Sequence, residues 1–67
     1  MMNKWRRRNW IRSAKHYYII LFHQTEAEAN YHANRLSEDM EKEYGKKVKH
    51  WPLPRGIVEE DVSYWER

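Results

Sequence analysis

A chain of 67 residues without a single cysteine has to hold itself together by packing alone. At this length folding hides only ~60% of the surface that the unfolded chain exposes, so the core is marginal without reinforcement. Small domains usually add disulfides, a structural metal or a second chain. The lack of thiols removes disulfides and thiolate zinc sites together. Aromatic packing is the remaining internal resource. The chain has four Trp, five Tyr and one Phe, and each large ring can bury roughly 150–250 Å². One domain spanning residues 1–67 is expected, with self-association as a further source of stability.

Residues 25–44 carry the clearest local signal. Thr25, Glu26, Ala27 and Glu28 read as a capping box, with the Thr25 hydroxyl on the residue-28 amide and Glu28 reaching back. Ala29, Ala33, Leu36, Met40 and Tyr44 follow as one apolar stripe at helical spacing. Gly45 stands where a helix is expected to stop. The helix therefore rests on a start signal, a periodic face and a stop signal.

Residues 16–23 predict a strand, because Tyr17, Tyr18, Ile19, Ile20, Leu21 and Phe22 are six consecutive β-formers. Residues 46–51 predict a second, shorter strand whose lysines protect an edge, and Pro52 ends it. Trp51, Pro52, Leu53, Pro54 and Arg55 then read as an extended, polyproline-like exit with Leu53 over the core edge. The expected fold is α+β, a strand–helix–strand (β-α-β) core over residues 15–53. A basic aromatic arm over 1–14 and a C-terminal extension over 54–67 complete it. The arm fits a helix, with Lys4, Arg8, Arg12 and Lys15 on one stripe, or an extended segment. Residues 57–65 fit a short helix with Val58, Val62 and Trp65 on one side, or a strand.

The net charge of +3 hides a block pattern. Residues 1–25 carry +6, residues 26–45 carry −4, residues 46–55 carry +4 and residues 56–67 carry −3. In the first block Trp5, Arg6, Arg7, Arg8, Trp10, Arg12 and Lys15 interleave guanidiniums with indoles. Arginine makes bidentate contacts to phosphate or carboxylate, and an exposed indole offers a stacking face to a base. Lys47, Lys49, Trp51 and Arg55 form a second cluster of the same kind. These eleven residues are the candidate partner-binding set. The plainer alternative is a solubilising terminus and a charge-protected edge strand, with some of the tryptophans in the core. The acidic side chains of the helix (Glu26, Glu28, Glu38, Asp39, Glu41 and Glu43) read most simply as a solvated face, with contact to a basic groove as the functional alternative.

Catalysis is not expected. Ser13, Ser37 and Ser63 lie in no nucleophile motif. Two glycines, Gly45 and Gly56, cannot form a phosphate-cradling loop. His16, His23, His32 and His50 lack the spacing of a metal site, and Glu28 with His32 supplies only two ligands. No cofactor and no metal are expected. The apolar run of residues 17–22 is far short of the ~20 residues a membrane span requires, so no membrane partner is expected. Absence of cysteine fits a reducing compartment, and a cytoplasmic location is the expectation.

The Tyr17, Tyr18 strand followed by Ala29, Ala33 and Leu36 resembles the opening half of a SPOR peptidoglycan-binding domain over residues 17–36. The small-residue turn of that family is missing after residue 23, so the resemblance is not carried further. In size and aromatic density the chain is similar to the small inhibitors that bacteriophages make against host enzymes or defence systems. The functional expectation is a non-enzymatic binding protein, a modulator or inhibitor of phage or mobile-element type. It would dock on a larger host protein or nucleoprotein complex through the basic–aromatic surface. The alternative is a small DNA- or RNA-binding domain that uses Arg and Lys with Trp stacking.

Overall fold

The computed structural model describes the backbone of residues 2–65 and the side chains of residues 6–65. It overturns the α+β expectation. Helix α1 runs Met2–Phe22, α2 runs Glu26–Tyr44 and α3 runs Pro54–Trp65, with a single 3₁₀ turn at Val48–His50 between the last two. No strand occurs among the described residues. The chain is a three-helix arrangement in which α2 and α3 both pack on α1.

The first predicted strand is the C-terminal part of α1. Trp10, Ala14 and Tyr18 are buried at four-residue spacing, and Phe22 continues that row half-buried. This single helical stripe runs through the basic arm and the apolar run alike. The β-propensity of residues 17–22 is a weak preference that burial of one face overrides. The arm at 1–14 is therefore no separate element. The second predicted strand is the 3₁₀ turn with extended flanks at Lys47 and Trp51. Its alternation of Lys47, Lys49 and Trp51 is too short to distinguish a strand from a tight turn.

Helix α2 forms as its signals predict. The Thr25 hydroxyl accepts from the Glu28 amide at 3.2 Å, and the Glu28 carboxylate accepts from the Thr25 amide at 3.1 Å. The backbone hydrogen bond foremost, then the Thr25 hydroxyl, holds the Glu28 carboxyl below its usual range. Ala29 and Ala33 have no exposed surface, and Ser37 has almost none. These small side chains let α1 approach closely. Ser37 turns its hydroxyl back to the Asn34 carbonyl at 2.7 Å, which satisfies it inside the interface.

Two residues with positive φ shape the connections. His23, at φ 56, takes the left-handed conformation after α1. The His23 amide donates to Ile19 O at 3.1 Å and the Gln24 amide to Tyr18 O at 3.4 Å, so terminal carbonyls of α1 are satisfied. Gly45 caps α2 at φ 88 and ψ −175, a region essentially confined to glycine.

The 45–53 connection is held by two indoles. Trp51 donates its Nε1–H to Gly45 O at 2.8 Å, and Trp10 donates to Pro52 O at 3.0 Å. The two rings meet edge to face with centroids 5.2 Å apart, the geometry that aromatic quadrupoles favour. The proline-rich exit is shorter than predicted, since Pro54 and Arg55 already belong to α3. Proline suits this first helical position because its missing N–H would have no partner there. Leu53 is 81% exposed and does not cover the core. Val58 and Val62 are the buried side of α3, as the helical reading of residues 57–65 predicts, whereas Trp65, the third member of that side, is 44% exposed. Among the described residues no helix is long and apolar enough to cross a membrane.

Candidate functional site

Of the eleven candidate residues, the structure turns several inward. Trp10 and Trp51 are both buried at 7% exposure, so neither offers a face to a base or a partner. Arg7 is taken up between α1 and α2. Its guanidinium pairs with the Glu41 carboxylate, reaches the Ser37 hydroxyl at 3.4 Å, and lies 5.7 Å from the Trp51 ring centroid. The hydrogen bond from Arg7, more than its charge, holds the Glu41 carboxyl below its usual range. Lys15 bridges to Glu26 of α2 at 3.0 Å. Arg55 pairs with Glu59 one turn along α3 at 3.4 Å. The Trp5 side chain lies outside the described residues.

Arg6, Arg8, Arg12, Lys47 and Lys49 remain. All five are exposed, and none has an ion-pair partner among the described residues. Arg8 and Arg12 are one turn apart on α1, on a row that continues through His16 to Ile20, every member exposed. Like charges at this spacing destabilise a helix by ~0.2–0.5 kcal/mol per pair. Arg6 lies on the flank of α1 and shares a shallow groove of about 300 Å³ with Lys49, floored by Trp10 and Val48. The two basic segments therefore do meet, at the end of the molecule where α1 begins. The surface there is basic; its aromatic part is underneath, as support.

A second surface takes up part of the acidic helix face and adds α3 residues that the sequence did not single out. A groove of about 470 Å³ separates α2 from α3 and is lined by no α1 residue. Leu36, Met40 and Ile57 form its apolar part, with the rings of Tyr44 and Tyr64 at its edge. Asp39, Glu43, Glu60 and Asp61 surround it, against one cation, Lys42. The predicted solvated acidic face thus divides. Glu26, Glu28 and Glu41 are committed to ion pairs or the cap, whereas Asp39 and Glu43 border the groove. The four-residue spacing of Asp39 and Glu43 was visible in the sequence. Their placement beside α3 needed the tertiary fold.

Behind this groove, Tyr18 is fully buried and donates its hydroxyl to Asp61 Oδ2 at 2.6 Å. Burial foremost, then that hydrogen bond and the charges of Asp61 and Asp39, pushes the phenol well above its ordinary value near 10.0. Its ring stacks on Trp65 with planes 7° apart, and His32 packs against both. This is a tie between α1 and α3. Among the described residues no three His, Asp or Glu side chains converge in the manner of a metal site. Comparisons with known protein families, curated proteins and solved structures find no match to this chain.

Proposed function

We propose that the chain is a non-enzymatic binding protein, a small helical modulator that docks its basic end on an acidic surface of a larger protein. The observation that carries this reading is the division of labour among the candidate cations. Arg7, Lys15 and Arg55 are used within the fold, while Arg6, Arg8, Arg12, Lys47 and Lys49 are exposed and unpaired among the described residues. Three of these are arginines on a rigid helix, which suits bidentate contact with carboxylates at low entropic cost. Arginine is also a common anchor in protein interfaces.

A protein partner is favoured over nucleic acid because both described candidate indoles, Trp10 and Trp51, are internal. Base stacking would otherwise supply ~1–3 kcal/mol per base. Among the described candidate residues, what remains for a nucleic acid is phosphate contact, which is strongly salt-dependent.

The test uses nuclease-treated lysate of the source cells, with wild-type bait and an Arg6→Glu, Arg8→Glu, Arg12→Glu variant that melts like wild type. Random-sequence DNA and RNA are titrated in parallel at two salt concentrations. A protein retained by wild type and lost from the variant supports the reading. Sub-micromolar nucleic-acid binding that collapses at higher salt would replace it with the nucleic-acid alternative.

A further inference from the structure

We infer that the acidic groove between α2 and α3 accepts the exposed arginine row of α1 from a second copy of the chain. The inference shares the basic end with the proposed function but needs no foreign partner. Both halves of the contact are on the same molecule and have no residue in common. Arg8 and Arg12 are separated by four residues on α1, a rise of ~6 Å. Asp39 and Glu43 are separated by the same four residues on α2, and Glu60 and Asp61 face them across the groove. Two guanidiniums can therefore meet two carboxylates in register, with Met40 and Ile57 below them to receive the aliphatic arginine stems.

The same chemistry already joins the helices inside one chain. Arg7 to Glu41 and Lys15 to Glu26 are both α1 cations on α2 carboxylates. The chain exposes 5236 Å². An interface of standard size covers ~800 Å² per partner, an area that this surface accommodates.

The two patches differ, so the contact either forms twice across a two-fold axis as a closed dimer or runs head to tail and leaves a free groove and a free arginine row at the ends of an open assembly. Mass should therefore rise with concentration and fall with salt, because exposed charges are screened.

Sedimentation velocity over a concentration series at low and high salt tests this with two variants, Asp39→Lys with Glu43→Lys, and Arg8→Glu with Arg12→Glu. Thermal melts confirm that each folds. Wild type is expected to self-associate at low salt and to dissociate at high salt. Each variant alone is expected to associate at least roughly tenfold more weakly, like charges now facing each other. Mixing the two is expected to restore association, since each carries the surface that complements the other. Wild type that stays monomeric throughout at low salt overturns the inference. So does a variant that associates like wild type, or a mixture that fails to associate. Capture of a foreign protein by the bait is read separately, so the proposed function survives any of these failures.

Discussion

Tyr18 shows how much one side chain carries in a core this small. Its ring fills the centre of the α1–α3 contact, and its hydroxyl finds the one acceptor, Asp61, that keeps a buried phenol satisfied. Replacing Tyr18 with Phe should cost about 1.5 kcal/mol at neutral pH, the low end for a hydrogen bond to a charged group, because Asp61 stays partly solvated. The pH dependence has a defined sign. The folded-state value lies above the ordinary value near 10.0, so the stability it contributes is complete below pH 10 and is lost as pH rises beyond it. The gap between wild type and Tyr18→Phe should narrow above pH 10 by up to about 1.4 kcal/mol per pH unit. Urea melts at pH 8 to 11 measure this. A gap that stays constant over that range would mean that Tyr18 ionises freely in the folded state.

Gly45 and Gly56 separate backbone strain from crowding. Neither has an atom within 4 Å of an added Cβ, yet Gly45 has φ +88 and Gly56 is helical. Gly45→Ala should destabilise by ~1–3 kcal/mol, the strain of a conformation that L-residues avoid. Gly56→Ala should stabilise by roughly 0.5–1 kcal/mol through helix propensity and reduced freedom of the unfolded chain. Equilibrium denaturation of both decides it, and effects of the same sign would contradict the backbone assignment.

At the scale of elements, what could be read in advance was local. Helix α2 announces itself through Thr25, Glu28 and a stripe from Ala29 to Met40, all interactions within a few residues. Helix α1 does not. Its row of Trp10, Ala14, Tyr18 and Phe22 crosses the boundary between a polar, basic segment and an apolar one. Composition divides the helix there, and the β-forming residues 17–22 then look like an independent strand. Only the contact with Ala29 and Ala33 of α2 and Val58 and Val62 of α3 makes the helical phase the stable one. The candidate site shows the same limit. That Arg6, Arg8 and Arg12 are exposed follows from charge. That Arg7 between them turns to Glu41, and that Trp10 and Trp51 turn to each other, depends on residues 30 or more positions away.

At the scale of the whole molecule, the blocks of charge become surfaces. The first and third, both basic, meet where Arg6 and Lys49 share a groove. The second and fourth, both acidic, meet where Asp39 and Glu43 face Glu60 and Asp61. Part of each sign is thus gathered over an apolar floor, Arg6 and Lys49 over Trp10 and Val48, and the four carboxylates beside Leu36, Met40 and Ile57. The proposed partner binding and the inferred self-association both depend on that arrangement, and it depends on α1 being one uninterrupted helix. If residues 16–23 were a strand, Arg8 and Arg12 would belong to a separate arm and α2 and α3 would lose the helix on which both pack. Backbone NMR chemical shifts of Arg6 to Phe22 test this directly. The structure predicts helical Cα and carbonyl shifts without a break through Tyr17, Tyr18 and Ile19. Extended-type shifts beginning near His16 would contradict it and restore the strand.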